Sequence, residues 1–178
     1  MKLKYLYIFV ALLVLNACAS NGVAPTQAIQ NTGDGTLVIN PIEFNKDAYI
    51  REPILQECNL PGKLTQYIEE NAANQYAQII TGSGSIPADA QILTIEIEQV
   101  GGLAGGAWTG SKRVLIKGTL TKNGKVLGDF KARRYSGGGM FAVFKGTCVI
   151  LGRCVRTLGS DVARWLTRPI SKALLGNM

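Results

Sequence analysis

Between Ala90 and Val100 the side chains alternate, with Leu93, Ile95 and Ile97 on one side and Thr94, Glu96 and Glu98 on the other. A strand with this two-residue period buries one face and wets the other, so the sheet it joins needs a second layer on its apolar side. Two further strand-like runs follow, Ser111 to Thr121 and Lys125 to Tyr135, joined at Lys122-Asn123-Gly124. Loop length sets the register of such a hairpin. A two-residue Asn123-Gly124 turn would set Ile116 against Lys131. A three-residue loop with Gly124 left-handed instead pairs Leu120 with Val126, Ile116 with Phe130 and Val114 with Ala132. The three-residue loop keeps apolar residues on one face and is the expected one, with Lys117 against Asp129 on the other.

Helices supply the second layer. Leu60, Leu64, Tyr67, Ile68, Ala72, Tyr76 and Ile79 recur at helical spacing and predict a helix ending near Ile80, with Pro61 in its first turn. Leu151, Val155, Leu158, Val162 and Trp165 form the stripe of a second helix that begins near Cys148, with Arg153, Arg156 and Arg164 largely off it, and Pro169 stops it or begins a short tail. Thr36 to Phe44 reads as a first strand, at an edge or bent at Pro41. The expected order is β-α-β-β-β-α. It describes an α+β fold, a two-layer sandwich with a mostly antiparallel sheet and two helices on one face.

This domain is expected to span residues 36–178, because the chain before it has a different character. Lys2 and Lys4 make a short basic region, Leu6 to Leu15 an apolar one, and Leu15-Asn16-Ala17-Cys18 fits the lipobox that ends a bacterial lipoprotein signal. Residues 1–17 then read as the signal peptide and Cys18 as the lipidated N-terminus, carrying diacylglycerol on its thiol and palmitate on its amine. Each buried methylene contributes about 0.8 kcal/mol, so several chains anchor durably where one does not. The alternatives are an ordinary secretory signal cleaved nearby, or an uncleaved span. The apolar run is shorter than the roughly 20 residues a span needs. Ala19-Ser20 follows the cysteine rather than the Asp that commonly retains lipoproteins in the inner membrane, which favours the outer membrane, facing the periplasm. Ala19 to Gly35, without apolar periodicity, reads as a flexible tether.

Charge is segregated along the chain. Residues 18–111 hold three Lys or Arg against ten acids, and residues 112–178 hold fourteen against two. Such halves either neutralise each other across the fold or leave a basic face for an anionic lipid or acidic partner. Nucleic acid is a poor partner for an exported chain. The sequence contains no histidine, which removes His-based general bases, His-activated nucleophiles and His metal ligands at once. The expectation is therefore a protein that is not an enzyme, with no cofactor and no metal.

Val100-Gly101-Gly102-Leu103-Ala104-Gly105-Gly106-Ala107-Trp108-Thr109-Gly110, Ser136-Gly137-Gly138-Gly139-Met140-Phe141 and Leu158-Gly159-Ser160-Asp161-Val162-Ala163-Arg164-Trp165-Leu166, together with the lipobox, resemble a family of bacterial lipoproteins catalogued as a domain of unknown function. More distantly, the architecture is similar to auxiliary lipoproteins of ABC-type envelope transporters. Neither resemblance implies a catalytic residue.

With Cys18 lipidated, Cys58, Cys148 and Cys154 remain. An exported compartment permits disulfides. Cys58 with Cys148 is the preferred pair, because each precedes a helix and the two helices should lie side by side; Cys148 with Cys154 is the other. Cys154 sits near the buried stripe and reads as a small core residue. The glycine-rich segments lack the G-x-x-x-x-G-K-[ST] pattern of a phosphate loop. The topology brings both to one end of the sheet, where Leu103, Trp108, Met140, Phe141 and Phe144 would be ringed by Lys112, Arg113, Arg133, Arg134 and Lys145. An apolar tip with a basic collar suits a membrane, an amphiphile or a partner protein; alternatively Trp108 and Phe144 fold back as core. The expected role is a noncatalytic lipid-anchored envelope module that binds through this end, or else a structural accessory subunit of a transport or secretion complex.

Overall fold

A computed structural model describes residues 33–82, 86–102, 111–137 and 146–178. Its elements in chain order are β1 (Thr36–Ile39), β2 (Glu43–Phe44), α1 (Glu52–Glu57), α2 (Leu60–Ala72), β3 (Gln78–Thr81), β4 (Gln91–Gly101), β5 (Lys112–Lys122), β6 (Lys125–Ser136), α3 (Thr147–Leu166) and β7 (Ala173–Gly176). The α+β class and the layer of helices against one sheet agree with the sequence; the element order and the sheet type do not. The strand order is β3-β1-β4-β5-β6-β7, with β2 also on β4. Among the described residues only the β4–β5–β6 meander is antiparallel. The β1–β3, β1–β4, β2–β4 and β6–β7 pairs are parallel, so the sheet is mixed rather than mostly antiparallel.

A third helix, the short α1, joins the two expected, and three local causes account for the added strands. Pro41 brings no N–H to a ladder, so the first strand breaks there into β1 and β2; Asn40 N–H and Asn45 N–H still donate to Leu93 O and Ile97 O of β4 at 3.0 and 2.9 Å. The first long helix stops at Ala72 instead of Ile80. Beyond it Gln75 N–H turns back to Ala72 O, Ala77 N–H donates to Gly35 O, and Ile79, Ile80 and Thr81 join the open edge of β1 as β3. Three consecutive β-branched residues suit a strand better than a helical turn. Tyr76 and Ile79 are buried or half-buried in either arrangement, which is why the helical period ran on past the true end. Finally, the tail after Pro169 is not merely a stop: Ala173 to Gly176 runs parallel to Phe130 to Arg133 as an edge strand.

The hairpin also differs from expectation. Asn123 and Gly124 have φ of 51° and 74°, the left-handed pair of a two-residue turn, and Lys122 faces Lys125. That turn alone would put Ile116 against Lys131. A bulge at Leu127 absorbs one residue, so Leu120 faces Gly128, Gly118 faces Phe130 and Ile116 faces Ala132. The apolar residues thus share one face, but through a bulge rather than a longer loop, and Lys117 pairs with Lys131 instead of Asp129.

The core lies between this sheet face and the helices. It contains Leu37, Leu93, Ile95, Ile97, Val114, Ile116 and Phe130 from the sheet, Leu60, Leu64 and Ile68 from α2, and Leu151, Val155, Leu158 and Val162 from α3. The helices approach closely at Gly159, where a Cβ would fall 2.5 Å from the Tyr67 Cβ. Among the described residues no helix is long and apolar enough to cross a membrane.

Candidate functional site

At one end of the sheet β4 finishes at Gly101 opposite Arg113, and β5 begins at Lys112 opposite Ser136. Both glycine-rich connections therefore leave and return here. α3 starts at the same end, since Cys154, in its second turn, donates its thiol to Lys112 O at 3.7 Å while Trp165 near its far end stacks on Phe130. Gly102 has φ of 121°, a conformation side chains avoid, and a Cβ there would run into Lys112. Lys112 itself is fully buried. Burial, and then the nearby Arg51 charge, hold its ammonium below the usual lysine range.

A disulfide fastens the helices at this end. Cys58, directly after α1, bonds to Cys148 in the first turn of α3, with the two Cα atoms 4.8 Å apart across 90 residues of chain. Cys154 is free and buried, and burial pushes its thiol up to about 11. A thiol so rarely ionised is a packing residue, not a nucleophile.

The structure divides the basic residues foreseen at this tip. Arg113 is exposed beside the end of β4, its guanidinium over Gly101. Lys112 is interior and no part of a solvent-facing collar. Arg133 lies on the open face of the sheet toward β7, where Nε donates to Asn177 O at 3.0 Å and the cation sits 5.4 Å from the Tyr135 ring centre. Arg134 points into the helix layer and donates from Nε and Nη2 to the two carboxylate oxygens of Asp161 at 2.6 and 2.7 Å. Those hydrogen bonds raise the Arg134 guanidinium further above its usual value. Cys18, Leu103, Trp108, Met140, Phe141, Phe144 and Lys145 lie outside the described residues.

The open sheet face holds two neighbouring carboxylates, Glu96 and Glu98, on β4. Glu96 meets Lys117 at 2.8 Å, and Glu98 meets Lys117 at 3.5 Å and Lys131 at 3.4 Å. Here the acidic and basic halves of the chain neutralise each other, and these carboxylates are tied to lysines rather than poised for acid–base work. Among the described residues no group of three or more His, Cys, Asp or Glu side chains gathers at one point.

The Arg134–Asp161 pair went unforeseen, although two signs of it were present. Gly128, Phe130, Ala132 and Arg134 share one face of a strand, and Asp161 adjoins Val162 on the buried side of a helix. An acid on one apolar surface and a base on the facing one call for each other.

No family model matches the chain, and no curated protein does. Solved structures do resemble it. An uncharacterized protein superposes with a TM-score of 0.50 at 9% identity, over 77% of this chain and 95% of its own. A Xanthomonas campestris protein of the DUF330 family gives 0.48 at 9% identity, over 78% and 87%. A minor lipoprotein from Acinetobacter baumannii gives 0.43 at 15% identity, over 74% and 90%. Among the structures that resemble the chain are thus a DUF330 protein and a bacterial lipoprotein, and what is shared at these identities is the fold.

Proposed function

We propose that this chain is a noncatalytic lipoprotein of the bacterial envelope, acylated at Cys18 and facing the periplasm from the outer membrane. It binds an anionic envelope amphiphile or a partner protein through the end of the sheet where its two glycine-rich connections leave. The observation that carries this reading is the register: Gly101 opposite Arg113 and Lys112 opposite Ser136 bring the strand ends from which both connections leave to the end where Arg113 is exposed. The Cys58–Cys148 bond supports export, since such bonds persist in oxidising compartments.

Trp165 makes the test readable. It is 5% exposed, stacked edge-on against Phe130, so a change in its emission needs a rearranged core. With Cys18→Ser protein lacking residues 1–17, vesicles of phosphatidylglycerol should shift the emission to the blue, and Trp108→Phe should remove the shift. No shift with such vesicles, together with crosslinking of Arg113-side positions to an envelope complex in cells, would turn the reading to an accessory subunit.

A further inference from the structure

The β7 edge carries a surface of a different kind. β7 ends the strand order, so beyond its pairing with β6 its backbone has no strand partner among the described residues. A groove of about 350 Å³ runs along all four of its residues and is closed on the other side by Arg134, Asp161, Arg164, Trp165, Arg168 and Ile170. Three guanidinium groups therefore face one carboxylate. Arg134 makes both hydrogen bonds to Asp161; Arg164 adds a looser ion pair to the same carboxylate at 3.6 Å with its side chain 74% exposed, and Arg168 has no ion-pair partner among the described residues. Beside these cations Ile170 is 56% exposed and Leu175, which shares the Ala132 and Arg134 face, is half-buried.

An excess of two positive charges over one shared carboxylate, an apolar wall and an open strand edge make one combined demand. A phospholipid headgroup would meet the arginines and leave the strand edge without hydrogen-bond partners. An extended peptide meets all three, because its backbone continues the sheet while alternate side chains enter the groove. The four residues of β7 offer roughly 13 Å of edge, room for about four residues of an added strand. The groove beside β2 would not take the same ligand, since Glu43, Asp47 and Glu96 outnumber Lys46 there.

We propose that β7 and the groove between it and the end of α3 receive an extended acidic segment of a partner protein as an added strand. None of the residues that line this groove belongs to the glycine-rich connections.

The test uses the full chain purified in neutral detergent and a displayed library of random eight-residue linear peptides. Sequences alternating acidic and apolar residues should be enriched. A synthetic copy of one should bind about ten-fold or more weaker to Arg164→Gln/Arg168→Gln, as loss of charge-assisted hydrogen bonds requires. N-methylation of alternate peptide amides should abolish binding, and Arg113→Gln should leave it intact. Both substituted arginines are exposed, and circular dichroism should show the double variant folded. The proposal is overturned if no acidic sequence is enriched, or if enriched peptides bind the double variant or the N-methylated form undiminished. Dependence on Arg113 instead would assign the binding to the glycine-rich end and equally overturn it. So would a double variant that loses phosphatidylglycerol vesicles while no peptide binds.

Discussion

Asp161 and Arg134 show how unevenly a buried pair responds to loss of its partners. The Asp161 side chain is 5% exposed and that of Arg134 25%. Arg134→Ala leaves a buried carboxylate with only Arg164 at 3.6 Å, and urea denaturation should show a loss of about 2–4 kcal/mol. Asp161→Asn leaves a guanidinium that can still reach water and should cost less; equal losses would mean the pair is not interior. Cys154 makes a prediction in pH. Its thiol rises from an ordinary 9.0 to about 11, so the folded state holds its proton where the unfolded state releases it. Stability is unaffected by this group below pH 9 and falls as pH climbs from 9 toward 11. Cys154→Ala should lose that part of the decline, measured as unfolding midpoints between pH 7 and 10.5. A variant with an unchanged slope would show the thiol to be accessible.

At the scale of elements, what was legible depended on whether one face of an element decides its conformation. β4 and α3 were legible because Leu93, Ile95 and Ile97, or Leu151, Val155, Leu158 and Val162, are buried by that face alone. The Cys58–Cys148 bond was legible for a related reason: both cysteines stand where helices begin, and the core requires the helices to be neighbours. β3 and β7 were not, since each has four residues whose conformation is set by a neighbouring strand's open edge. The hairpin lay between these cases. The demand for one apolar face was correct, but a bulge at Leu127 meets it as well as a longer loop does, and alternation does not tell the two apart. Arg133 and Arg134, adjacent in sequence, point to opposite faces, so no single collar could hold both on solvent-facing terms.

For the whole molecule, the two proposed contact places, the end of the sheet at Arg113 and the edge at β7, sit around one core that spans from Leu37 to Ala173. The disulfide works at this scale. Replacing both Cys58 and Cys148 by Ser should lower stability by about 3–5 kcal/mol in the chain-entropy view, given the long loop it closes. Thermal unfolding with and without reductant checks this, and a negligible difference would mean the helices hold each other without help. The bond has a further consequence. β4, β5, β6 and both glycine-rich connections all lie between positions 58 and 148, so this region forms a covalent ring. A protease that cuts the ring once opens it but releases nothing: the two pieces migrate together until a reductant parts them. The connections that bear the proposed contact residues can thus be nicked while the molecule stays in one piece.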